Sequence, residues 1–132
     1  MSDPAGSAEY VFGVTVRFKP TEVDVSPDRF ETTMSISAPR PGFEGWRLFR
    51  EWLWRGELTD DDRFTRVAEE RLGLEAASGV DVVAVDFREL RTDRPYLDRL
   101  REAIAEDLEA YNADDVDSVL HKYLGSSIHV RE

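Results

Sequence analysis

The chain contains no cysteine, which excludes disulfides, a thiolate metal site and a thiol nucleophile, and with them a small stapled secreted fold. Its two histidines, His121 and His129, are too few for a His-based zinc site. No run of 18 apolar residues occurs, so no membrane insertion is expected. Residues 1–9 offer neither a basic start nor an apolar segment, and the expected location is cytoplasmic. Lysine is nearly missing too: Lys19 and Lys122 stand against 15 arginines. No residue pattern calls for a cofactor or a metal.

What is present is acid. Asp and Glu total 28 against 17 basic residues in 132, for a net charge of -11 and a pI near 4.6. Such a surface stays soluble and attracts hydrated cations, while its self-repulsion needs salt to screen it. This composition reads as salt-adapted; an acidic mesophilic protein from a GC-rich genome would also favour Arg over Lys. Direct nucleic-acid binding is disfavoured, because phosphate contacts draw their affinity from a net basic face. With 41% apolar and 11% aromatic residues, the chain can bury an ordinary core in one domain.

Along the chain, residues 1–8 read as a flexible N-terminal tail and 9–132 as a single α+β domain. Glu9 to Phe18 alternates, with Tyr10, Phe12, Val14, Val16 and Phe18 on one face, which predicts a half-buried strand. Pro20, Asp24, Pro27 and Asp28 mark a loop to Arg29, and Phe30, Thr32, Met34 and Ile36 form the face of a second strand. Thr59 reads as the N-cap of a helix whose buried stripe is Phe64, Val67, Ala68 and Leu72, closed by Gly73. Val80 to Leu90 predicts a central strand, apolar on both faces around Val82 to Val85. From Pro95 to Asn112 apolar residues recur at helical spacing, Asp114 caps a short helix closed by Gly125, and Ser126 to Arg131 reads as a last strand. The order predicts a mostly antiparallel four-stranded sheet covered by helices, a variant of the ferredoxin-like arrangement.

All three tryptophans lie between Gly45 and Glu57, interleaved with Arg47, Arg50 and Arg55. As a helix, this stretch aligns Trp46, Phe49 and Leu53, with Gly56 as C-terminal cap. As a strand, it puts Trp46, Leu48, Trp52 and Trp54 on one face, interrupted by Arg50. The helix is the preferred reading. Trp46 then belongs to the apolar stripe, and its loss is expected to unfold or severely destabilise the protein, whereas Trp54 lies off the stripe beside Arg55. Trp and Arg supply most interface anchor energy. The same stretch also fits a buried segment whose arginine stems run along its edges.

The remaining polar groups favour ordinary roles. Asp60 to Asp62 and Asp114, Asp115 and Asp117 lack the spacing and glycine of a calcium loop and fit solvated N-caps. Gly125-Ser126-Ser127 with Lys122 follows a helix rather than preceding one, so capping outweighs an anion nest. His121 and His129, separated by Ser126 and Ser127, have no Gly-x-Ser-x-Gly elbow to support nucleophilic chemistry. Arg88, Arg91 and Arg94 are expected to pair with Glu89, Asp93 and Asp98.

Tyr10-Val-Phe-Gly-Val-Thr-Val-Arg-Phe18, Phe30-Glu-Thr-Thr33, Pro41-Gly-Phe-Glu-Gly-Trp46, Leu53-Trp-Arg-Gly-Glu57, Phe87-Arg-Glu-Leu-Arg91, Asn112-Ala-Asp-Asp115 and His121-Lys-Tyr-Leu-Gly-Ser-Ser-Ile128 together resemble the haloarchaeal LWR-salt proteins. The tripeptide of that name is present as Leu53-Trp54-Arg55. The resemblance implies a halophilic archaeal cytoplasm and carries over no catalytic or binding residue. The expected function is therefore a non-enzymatic interaction module that binds a protein partner, or itself, through Trp52, Trp54, Arg50 and Arg55. The alternative is a small anionic-ligand-binding or catalytic domain with a pocket between the sheet and segment 45–57, using Arg50, Arg55 or Lys122.

Overall fold

A computed structural model describes residues 6–18, 29–73 and 79–131. The expected loop after Phe18 and most of the expected N-terminal tail lie outside the described residues. Of that tail, Ser7 is already held: its N–H donates to Asp93 Oδ2 at 2.9 Å, and its carbonyl accepts from Asp93 N–H at 3.1 Å.

The main sheet is built from β1 (Ala8–Phe18), β2 (Arg29–Ser37), β5 (Val80–Asp93) and β6 (Ile128–Arg131), in the order β2-β1-β5-β6. β1 runs antiparallel to both β2 and β5, and β6 runs parallel to β5. The departure from the ferredoxin-like βαββαβ order is that β1 pairs antiparallel with β2, where a βαβ unit would make its two strands parallel. A parallel neighbour needs a long crossover. Here that crossover consists of α3 (Arg94–Ala105), a 3-10 turn (Leu108–Tyr111) and α4 (Val116–Leu124).

The alternation in β1 decides which face is covered. Tyr10, Phe12, Val14 and Val16 share one buried cluster with Phe64 and Ala68 of α2 (Asp61–Arg71), Leu100 and Ile104 of α3, and Val119 and Leu120 of α4. The opposite face is charged: Arg91 meets Glu9 at 3.6 Å and Glu89 at 3.3 Å, while Arg88 meets Asp86 at 2.9 Å and Glu31 at 3.8 Å. The expected pairing partners of these arginines were only partly those found.

Two bulges in β5, between its partners Val11/Phe12 and Thr15/Val16, leave Arg88 and Val83 without an opposite residue on β1. A bulge turns consecutive residues to the same side. Val83 is 38% exposed and Ala84 is exposed beside it, so the expected burial of both faces of this strand does not hold.

Three helix boundaries also move. Asp60, not Thr59, caps α2 by accepting from Arg63 N–H at 3.1 Å. Thr59 instead donates its hydroxyl to the Glu51 carbonyl at 2.7 Å. Asp115, not Asp114, caps α4 through Ser118 N–H at 2.8 Å, a bond that holds its carboxyl below the usual range. The long helix stops at Ala105, where the Asp107 N–H bonds the Ile104 carbonyl in a tightened i to i+3 turn, and the chain continues as the 3-10 turn to Asn112 at φ 51.

Candidate functional site

Segment 45–57 takes both conformations expected of it, one after the other. Leu48–Trp52 form α1, and Leu53–Trp54 form β3, which pairs with β4 (Glu57–Leu58) through Leu53↔Leu58 and Trp54↔Glu57. The two residues between them, Arg55 and Gly56, have φ of 52 and 81, the signature of a type I′ hairpin turn. Gly56 is therefore a turn residue and not a helix cap.

That turn docks on α4. The Arg55 N–H donates to the Lys122 carbonyl at 2.8 Å and the Gly56 N–H to the Tyr123 carbonyl at 2.9 Å. These are orphan carbonyls of the helix C-terminus, so one hairpin tip caps one helix end. Side chains would keep the two backbones apart. A Cβ on Gly56 would lie 3.1 Å from the Leu124 carbonyl oxygen, and one on Gly125 would lie 3.1 Å from the Arg55 carbonyl oxygen. The Leu53–Glu57 and His121–Ile128 stretches, remote in sequence, thus meet along one seam. Gly125 itself is a capping residue, its N–H donating to the His121 carbonyl at 3.0 Å.

The tryptophans separate into three environments. Trp52 is buried, edge-on to Tyr10 at 5.5 Å and to Phe64 at 5.1 Å, with Nε1 unpartnered. It is a core residue and out of reach of any partner. Trp46 is only partly buried, packed against Phe49 at 6.4 Å, so the central place expected of it belongs to Trp52 and Phe49. Trp54 is 47% exposed. It contacts Tyr123 edge-on at 6.1 Å and carries the Arg55 guanidinium and the Lys122 ammonium, each 5.8 Å from its ring. Trp54→Ala should therefore change the free energy of unfolding by less than about 1.5 kcal/mol, measured by urea denaturation at high salt.

Tyr111 lies buried behind this surface, against α1. It stacks on Phe49 with an interplanar angle of 8°, and Arg50 lies 4.8 Å over its ring. Arg50 donates to the Ala110 carbonyl at 3.0 Å and Lys122 to the Tyr111 carbonyl at 2.9 Å. Burial raises the Tyr111 phenol pKa, opposed by Arg47 and Arg50. Arg47 is the one cation here with a carboxylate, Asp107 at 3.4 Å. Among the described residues, Arg50, Arg55 and Lys122 form no ion pair. Neither Tyr111, within the helical spacing of Pro95 to Asn112, nor Tyr123, within the short helix closed by Gly125, was singled out as a site residue.

The other candidates stay apart from this surface. A cleft of about 560 Å³ between β5 and the hairpin is lined by Glu57, Asp61 and Asp86 along with Gly56, Leu58 and Phe87. His121 and His129 are both exposed. Among the described residues no three His, Asp or Glu are grouped to hold a metal, and no helix is long and apolar enough to cross a membrane.

These features define an α+β protein with a mostly antiparallel four-stranded sheet, one face under helices and a Trp-centred cationic surface where a hairpin caps a helix. The chain matches the family described as LWR-salt protein over residues 6–132 and belongs to that family. No curated protein and no solved structure matches it.

Proposed function

We propose that this chain is a non-enzymatic interaction module of a halophilic cytoplasm, binding a carboxylate-bearing protein partner through the Trp54 face of segment 45–57. The observation that carries the reading is a half-exposed Trp54 between two cations, Arg55 and Lys122, that no described carboxylate neutralises. Cation–aromatic contacts at exposed sites contribute about 0.5–1 kcal/mol each, and here they hold a large ring ready for a partner at little further loss of side-chain freedom. Trp52, buried in the core, drops out of this face; Arg50 and Lys122, tied to the Ala110 and Tyr111 carbonyls, give it a basic rim. For the anionic-ligand alternative, the cleft between sheet and segment would confront the ligand with Glu57, Asp61 and Asp86, which weighs against that reading.

Immobilised wild-type protein should retain a partner from native lysate at molar KCl that Trp54→Ala and Arg55→Ala each bind about 30-fold more weakly, the loss typical of an anchor residue. Equal retention by both folded variants would remove the basis of the reading. The milieu is tested separately. With a charge of -11, self-repulsion should be relieved by salt, so the melting temperature should climb from low to multimolar KCl. A flat profile would sink the salt-adapted reading.

A further inference from the structure

The two edges of the main sheet are treated differently. β6 is four residues long and ends in exposed His129 and Arg131, a short and charged edge of the kind that discourages pairing with another chain. β2 runs nine residues and pairs with β1 in unbroken register from Arg17↔Arg29 to Glu9↔Ser37. It has no proline, lysine or bulge, and from Thr32 to its end at Ser37 it carries no charge in a chain that is 34% charged. Among the described residues no backbone hydrogen bond reaches its outer side. Phe30, on its core-side face, is 46% exposed.

We propose that this edge joins a second copy of the chain, β2 to β2 and antiparallel about Thr33, merging two four-stranded sheets into one. The sequence of the strand selects this occupant, because the edge complements itself. A two-fold at Thr33 pairs all nine residues and sets Phe30 opposite Ile36 of the second copy and Thr32 opposite its Met34, on the core-side face. On the other face Arg29 meets Ser37 and Glu31 meets Ser35. No charge opposes a like charge, whereas a two-fold at Glu31 or Arg29 would oppose identical charges. Each copy presents the same patch, as a closed dimer requires.

Sedimentation of the full chain at molar KCl should give twice the 15.1 kDa chain mass. Thr33→Lys, which puts two ammonium groups face to face, should sediment as a monomer with native circular dichroism and a melt no longer dependent on protein concentration, while Trp54→Ala should remain dimeric. Because the native chain lacks cysteine, Thr33→Cys gives a direct reading of the register. Directly opposed Cα atoms lie about 4.5–5.5 Å apart, within disulfide reach, so mild oxidation should yield a covalent dimer. Ser37→Cys, about 27 Å from its own copy at ~3.4 Å per residue, should not cross-link. The proposal is overturned if the wild type sediments as a monomer at all concentrations, if folded Thr33→Lys stays dimeric, or if Ser37→Cys cross-links as fully as Thr33→Cys.

Discussion

Trp52→Ala is expected to cost about 3 to 5 kcal/mol of stability, the range for deleting a large buried aromatic, out of the roughly 5 to 15 that holds a domain together. The ring is 9% exposed and sits edge-on against both Tyr10 of the sheet and Phe64 of α2. Its removal opens a void between two layers rather than at a margin, where collapse is hardest. Trp52→Phe separates the two parts of that cost. The indole Nε1 is buried without a partner, so the substitution loses ring volume but no hydrogen bond and removes an unsatisfied donor. It should cost under about 2 kcal/mol, near the range of tolerated core swaps. Denaturation followed by far-UV circular dichroism, in one high-salt buffer, reads both variants. A Trp52→Ala cost no larger than that of Trp54→Ala would mean that the ring is not a core residue.

The second large effect is expected at Gly125. Its φ of 63 with ψ of -139 is a combination that only glycine adopts cheaply, at a cost of about 1–3 kcal/mol for other residues. A Cβ there also meets the Arg55 carbonyl oxygen at 3.1 Å and the Gly56 nitrogen at 3.4 Å. These are backbone atoms and cannot swing aside. Gly125→Ala should therefore cost about 3 kcal/mol and displace the hairpin tip. Gly73 provides the comparison, since its φ of 70 also favours glycine but nothing lies within 4 Å of its Cβ position. Gly73→Ala should cost about 1 to 2 kcal/mol, the left-handed penalty alone. Equal losses in thermal or urea denaturation would show that the seam between hairpin and helix is loose.

The strands and helix stripes were legible because period-2 and period-3.6 patterns are set by one buried face. β1 and the Phe64–Ala68 stripe appear where alternation and spacing put them. The parallel pairing of β5 with β6 left no such mark, since register depends on the crossover geometry rather than on either strand. The bulges at Val83 and Arg88 were illegible for a similar reason: the sequence shows apolar residues, not which are doubled on one side. Segment 45–57 misled because its helix is one turn long. A stripe argument needs several turns, and Trp46 lies before the turn begins. Trp54 and Arg55 were identifiable from composition. Lys122 was a candidate contact for an anion, but its place and that of Tyr123 beside Trp54 were not legible, because the hairpin and α4 meet only after the whole crossover is in place.

The seam also orders biosynthesis. The hairpin tip at Arg55 and Gly56 bonds carbonyls of Lys122 and Tyr123, which leave the ribosome long after it. Chains emerge N-terminal end first, so β1, β2 and the hairpin must wait for β5 before the sheet gains its third strand, and for α4 before the Arg55 and Gly56 amides gain partners. Closing contacts so distant in sequence is slow. Throughout that interval the nascent chain presents Trp54 without Tyr123 against it. A ribosome stalled just past the Tyr123 codon, with that residue still inside the exit tunnel, would thus display a tryptophan with no seam behind it, a form recognisably different from the folded protein.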